Sequence, residues 1–168
     1  MTAMVEGGPH RYPLSALAAD YARAAAGVAF TAGPLLAVET ASGVAYVLGG
    51  LAILFAAFGA RTALRHASPM ALSPEGLWIG GLRPRTLPWA ELSAMTLRFY
   101  STHRDRRHGW MNLKLKAGRR VLTIDSTIEG FPEITAAALA AARANGLTLG
   151  DRTLANLAAM GLAGPEDG

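Results

Sequence analysis

Thr40 to Ala60 reads TASGVAYVLGGLAILFAAFGA, and none of its side chains is charged. At a helical rise of 1.5 Å per residue, about 21 residues reach roughly 31 Å, the thickness of a bilayer's hydrocarbon core. On either side the chain changes character. Upstream lies a shorter uncharged run, Ala24 to Val38, and downstream Arg61 and Arg65 form a basic collar. Beyond that collar the hydrophobic period shortens from helical to two-residue alternation. The quoted stretch is therefore expected to span a membrane, between a partner helix and a water-facing sheet domain.

The composition agrees with a divided chain. Of 168 residues 51% are hydrophobic, mean hydropathy is +0.25, and the apolar excess lies in the first third, which suits an anchor plus a small domain. Cysteine is absent, which removes disulfides, thiolate nucleophiles and thiolate metal sites. A cleaved signal peptide is not expected, because the first apolar run lies beyond Pro13 and a longer one follows at once.

Residues 1–12 contain glycine and proline, lack an apolar period and read as a cytosolic tail. Residues 13–66 read as a two-helix transmembrane hairpin. The first helix is expected to begin near Pro13 or Leu14, since proline is tolerated in a first turn. Its uncharged part, about 15 residues or roughly 22 Å, is too short to cross alone. Adding Ser15 to Arg23 supplies the length, with Arg23 reaching the headgroups and Asp20, three residues earlier, pairing with it at the interface. The competing reading of that pair is an intramembrane polar site. Gly33-Pro34 is expected to kink the helix, and Glu39 to Ser42 to turn the chain. Arginines flank both runs and the connection between them has none, which places both termini in the cytosol. Along the second helix Ala45, Gly49, Ala52, Ala56 and Gly59 recur at spacings of four and three, a small-residue stripe for helix–helix packing within the hairpin or against another protein.

After the collar, Ala67 to Leu72 reads as a strand, Ser73 to Gly76 as a turn and Leu77 to Gly80 as a second strand. Gly80-Gly81 turns the chain into Arg83 to Leu87. Met95, Leu97 and Phe99 alternate with Thr96, Arg98 and Tyr100, so the first three are expected to face inward. His103 to Gly109 is a polar connection. Met111, Leu113 and Leu115 then alternate with Asn112, Lys114 and Lys116, and Leu122 and Ile124 mark another inward pair. Pro132 and Glu133 open a helix with Ile134, Ala138 and Ala141 on its apolar face, stopped by Asn145-Gly146. A short helix from about Arg152 to Met160, capped by Asp151, falls in a terminal stretch, 147–168. The expected fold is α+β: one antiparallel sheet of six or seven strands covered by a helix, over residues 67–146, behind the N-terminal hairpin.

Two apolar runs, then LSPEGLWIGGLRPRTLPWAEL (Leu72 to Leu92), long strands and a terminal helix resemble small bacterial two-span membrane proteins with a C-terminal pleckstrin-homology-like domain. The residues carrying the resemblance are the turn at Gly76 with Leu77 and the step Pro88-Trp89-x-Glu91-Leu92. It implies a curled antiparallel sheet capped by a C-terminal helix, placement in the bacterial inner membrane, and no catalytic residue or cofactor.

Between Arg83 and Arg120 ten basic residues stand against Glu91 and Asp105. The densest part is HRDRRH, His103 to His108. Near an anionic leaflet each basic group contributes about 1 kcal/mol, which makes Arg104, Arg106, Arg107, Arg119 and Arg120 the candidates for binding anionic lipid or an acidic partner. A solvated face is the plain alternative. Nucleic acid is a third reading, through Phe99, Tyr100 and Trp110 among the arginines, and is not expected because Phe99 points inward by alternation and the chain is anchored. His103, Asp105 and His108 could ligate a metal, but the adjacent arginines repel cations, so no metal site is expected. Trp89 reads as a core or interfacial aromatic, and Asp151, Thr153 and Asn156 as helix capping and its polar face. No phosphate loop, metalloprotease motif or nucleophile elbow occurs. The expected role is a non-catalytic accessory, scaffolding or assembly subunit of a larger membrane complex, with membrane lipids and a membrane protein as partners. The alternative is an anionic-lipid headgroup sensor, with no cofactor in either case.

Overall fold

A computed structural model describes residues 8–102 and 105–162; the side chains of residues 102–108 lie outside the description. The chain forms two compact units, one of Tyr12–Ser68 and the other of the residues before Tyr12 together with those from Pro69 onward.

In the helical unit, α1 (Leu14–Ala37) starts directly after Pro13 and carries Pro34 in its last turn. The ring removes one helical donor there, but the last turn still closes, with Val38 N–H reaching the Pro34 carbonyl at 3.1 Å. After a short connection α2 (Ser42–His66) ends on Arg65 and His66, and the Arg65 charge suits the negative end of a helix dipole. The helices run antiparallel. The Phe55 ring lies directly against Gly27, where a Cβ would collide with it, and Gly59 faces Ala24. At the open end His66 Nδ1 lies 3.2 Å from the Tyr12 carbonyl, and the Arg65 guanidinium stands 4.6 Å over the Tyr12 ring. Leu17, Ala24 and Thr31, the buried residues of α1, recur every seven positions, the spacing of a coiled-coil seam. Thr31 donates to the Gly27 carbonyl at 2.6 Å and Thr62 to that of Phe58 at 3.1 Å, so both buried hydroxyls are satisfied within their own helices.

The opposite faces are bare hydrocarbon: Phe30 is 81% exposed, Leu36 89%, Tyr46 82% and Ile53 72%. By length and composition, α2 is the one described helix apolar enough to cross a bilayer, and none of its apolar window is buried. In α1 the expected pair is present, Arg23 Nη1 to Asp20 Oδ1 at 2.6 Å. Of the two anticipated spans, α2 thus qualifies by its own length and composition, and α1 packs along it.

The sheet unit is α+β. Strands β1 (Met70–Ser73), β2 (Gly76–Ile79) and β3 (Arg85–Pro88) form one antiparallel meander; β4 (Leu92–Thr102), β5 (Asp105–Ala117) and β6 (Arg120–Asp125) form another. Helices α3 (Phe131–Ala144) and α4 (Asp151–Ala159) follow. The single sheet of six or seven strands is therefore incorrect. A 3-10 turn at Trp89–Glu91 ends the first ladder, so β3 and β4 do not pair. One side chain joins the two sheets instead, Arg120 Nη1 of β6 donating to the Thr86 carbonyl of β3 at 2.7 Å. The 3-10 turn between them is fixed by Trp89 Nε1, which donates to the Ser73 carbonyl of β1 at 3.1 Å, and by Asn145 Nδ2 after α3, which donates to the Trp89 and Leu92 carbonyls at 2.7 and 3.0 Å. Within the core Leu77, Leu97, Leu113, Leu115, Ile124, Ile134 and Leu157 have no exposed surface, each contributing about 1.5–3 kcal/mol by burial. Helix α3 opens on Phe131-Pro132 and stops at Asn145, followed by Gly146 at φ 65°, a left-handed position that glycine adopts freely.

Four expectations change. Phe99 shares the face of Leu97 by alternation yet is 45% exposed, lining an open hollow with Arg152, Ala155 and Asn156 of α4. The polar connection after β4 is shorter, since β5 already begins at Asp105. Asp151 is the first residue of α4 rather than its cap, a place taken by Gly150. Thr153 and Asn156 do not form a solvated face: Thr153 Oγ1 accepts from Leu97 N–H at 3.3 Å and Asn156 Nδ2 donates to the Leu97 carbonyl at 2.9 Å. They occupy the open edge of β4, which a strand partner would otherwise seek. The N-terminal segment is also tied down. His10 exchanges both backbone hydrogen bonds with Met70, at 2.6 and 2.8 Å, and Arg11 accepts from Glu129 N–H at 3.0 Å.

Candidate functional site

Alternation along β4 and β5 buries Met95, Leu97, Leu113 and Leu115 and sends their neighbours to the other face of the sheet. The register sets Ala94 opposite Lys116, Thr96 opposite Lys114, Arg98 opposite Asn112 and Tyr100 opposite Trp110. Small side chains at 94 and 96 leave a depression of about 350 Å³, lined also by Arg98, Tyr100, Asn112, Lys114 and Lys116. The Tyr100 and Trp110 rings stack at 5.9 Å and 21° and close one end. Asn112 Nδ2 donates to Asp125 Oδ1 at 2.7 Å, which holds the floor against β6.

The face is cationic and its cations are staggered. Arg98, Lys114 and Lys116 each stand opposite an uncharged residue, which avoids the direct cross-strand repulsion of like charges. Among the described residues none of the three forms an ion pair. Arg98 also lines two neighbouring depressions, of about 430 Å³ with Arg152 and Asn156 and about 520 Å³ with Ser93, Thr148 and Asp151. One arginine at a corner shared by three hollows, two lysines beside it and an aromatic wall make a surface for an extended anion: successive carboxylates of an acidic segment, or phosphates.

The residues singled out from sequence are scattered by comparison. Arg104 lies outside the described residues, and Arg106 and Arg107 are placed only as backbone of β5. Arg119 is exposed beside Gly118, whose φ is 55°. Arg120, though exposed, is engaged with Thr86. Of the small stripe, Ala45, Gly49, Ala52 and Gly59 are half-buried while Ala56 is exposed, and Gly59 meets α1 itself. Trp89 is half-buried, its indole N–H bonded to the Ser73 carbonyl. The side chains of His103, Asp105 and His108 lie outside the description, and among the described residues no group of three His, Asp or Glu could hold a metal. Phe99 packs over Gly109 and is exposed, so its expected burial no longer argues against base stacking. Missed by the sequence reading was the convergence of Arg98, Lys114 and Lys116, although the alternation that put Leu97, Leu113 and Leu115 inward carried the signal.

No family model matches the chain, and no curated protein or solved structure is significantly similar to it.

Proposed function

We propose that the protein is a non-catalytic accessory or scaffolding subunit of a bacterial inner-membrane complex. The helical hairpin enters the bilayer, both termini stay in the cytosol, and the sheet unit, folded in the manner of a pleckstrin-homology domain, presents its Arg98–Lys114–Lys116 face to an acidic surface of a partner. The observation that carries this reading is the pairing of two surfaces: helices whose outer faces are largely uncovered hydrocarbon, and a shaped cationic face whose Arg98, Lys114 and Lys116 form no ion pair among the described residues. Contiguous apolar surface of that kind marks a membrane or protein contact. The cations supply orientation and encounter rate more than raw affinity.

Copurification from gently solubilised membranes tests it. The wild-type chain is expected to migrate with a stoichiometric partner that raised salt releases, because exposed charges are screened over about 8 Å at physiological ionic strength. Replacing Arg98, Lys114 and Lys116 together by glutamate is expected to lower capture at least tenfold, on the order of 1.4 kcal/mol or more, with membrane retention unchanged. A lone wild-type chain, or equal capture by the triple variant, refutes it. The second reading, an anionic-lipid headgroup module, is supported by the same cations with Tyr100 and Trp110 at their end, rings that suit a headgroup boundary. Flotation with anionic vesicles that the triple variant loses, without any captured protein, favours that reading.

A further inference from the structure

From the geometry of the first sheet we infer a lipid-contacting site at the β2–β3 turn, centred on Leu82 and facing the anionic surface of the bilayer that α2 enters. The inference rests on the membrane-anchor part of the proposed function and adds a contact made by the sheet unit.

Three observations converge on this turn. Leu82 is 84% exposed at its tip, and Arg83 and Arg85 beside it are exposed as well. An exposed leucine alone is ordinary; one flanked by arginines on a tight turn has the amphipathic pattern of an interfacial anchor. The turn is also held rigidly. Gly80 N–H donates to the Pro69 carbonyl at 2.7 Å, Gly80 is buried, and a Cβ there would approach Trp78 Cη2 to 2.8 Å and Pro69 Cγ to 3.0 Å. Gly81, at φ 110°, supplies the left-handed step that aims Leu82 outward.

The third observation is where the turn lies along the strands. Met70 pairs with Ile79 and Ser73 with Gly76, so the β2–β3 turn is at the end of the sheet where the chain arrives from α2, and the Ser73–Gly76 turn is at the other end. Pro69 follows His66, the last residue of α2, by three residues, which cannot span more than about 11 Å. Strand residues advance roughly 3.3 Å each, so the two turns differ in distance from that tether by about 10 Å. With α2 in the bilayer as proposed, this short tether bounds how far Leu82 can stand from the headgroups. Its two arginines match their charge, and its side chain is of the kind that enters the acyl boundary.

The absence of cysteine allows a direct test with the full-length chain in vesicles. Leu82→Cys and, as the distal reference, Glu75→Cys each carry a polarity-sensitive fluorophore. In phosphatidylglycerol-containing vesicles position 82 is expected to be blue-shifted, quenched by lipid-borne nitroxide and at least threefold less accessible to aqueous acrylamide than position 75. Adding Arg83→Glu and Arg85→Glu, or using purely zwitterionic vesicles, is expected to restore acrylamide access at position 82. Equal access at the two positions, with the chain still sedimenting with the vesicles, overturns the contact and leaves the anchor standing. Protection indifferent to lipid charge overturns the role of the arginines, and a chain that does not sediment at all overturns both anchor and contact.

Discussion

Replacing Ile53 and Leu54 together by arginine is expected to strip the protein from the membrane. The two side chains are 72% and 63% exposed near the middle of α2, so the change removes little packing from the hairpin. In a bilayer each arginine at a helix centre costs about 2.5–3.5 kcal/mol and each lost Ile or Leu forfeits roughly 0.5. The total, about 6–8 kcal/mol, corresponds to a factor of at least 10⁴ in partitioning. Alkaline washing of membranes measures it: wild type stays in the pellet, and the double variant moves to the supernatant or is degraded. Val44→Arg, near the start of the helix, is expected to remain in the pellet because a long side chain there reaches the headgroups. A double variant that pellets like wild type would show that the hydrocarbon face of α2 meets protein rather than lipid.

The second large effect is expected from unclasping α4. Thr153→Val with Asn156→Leu takes away both partners of the Leu97 backbone, where Thr153 is 4% exposed and Leu97 fully buried. Each orphaned backbone group costs about 1–3 kcal/mol. A loss of about 2–6 kcal/mol is large against a typical domain stability of roughly 5–15 kcal/mol, and at about 4–8 °C per kcal/mol lowers the melting temperature by at least about 8 °C. Thermal melting followed by circular dichroism reads the total, and amide exchange at Leu97 reads the site. Thr153→Ser, which keeps the hydroxyl, is expected to restore most of the protection. Unaltered exchange at Leu97 in the double variant would mean that the strand edge is satisfied some other way. The freed edge of β4 also predicts self-association, since an uncovered strand recruits another.

What could be read from the sequence follows from what each signal encodes. Period-two alternation encodes which face a residue takes, and it placed Leu97, Leu113, Leu115, Leu122 and Ile124 correctly in the core. It does not encode whether anything covers that face, and so failed at Phe99, which is left half open beside α4. Nor does it say which strands pair: the break at Pro88–Leu92 was visible, but its consequence, two sheets instead of one, depends on geometry at Trp89–Glu91. Helix stops such as Asn145-Gly146 were legible because a left-handed position selects glycine. The His10–Met70 pairing was not, since backbone hydrogen bonds leave no side-chain pattern. For the candidate site the charge excess was plain, but the sharing of one hollow by Arg98, Lys114 and Lys116 needs the β4–β5 register. Counting along the chain instead favoured the densest run, HRDRRH.

The rungs between His10 and Met70 have a further meaning for how the chain is put together. Two residues that exchange both hydrogen bonds of an antiparallel pair stand with their α-carbons about 5.5 Å apart. The strands that lead into and out of Tyr12–Ser68 therefore leave the sheet unit as neighbours. The helices are an insertion at one point of the sheet unit's chain path, and a two-residue link could close the gap they leave. Lengthening, exchanging or deleting the inserted helices disturbs only one rim of the sheet unit, so the two units are free to change independently.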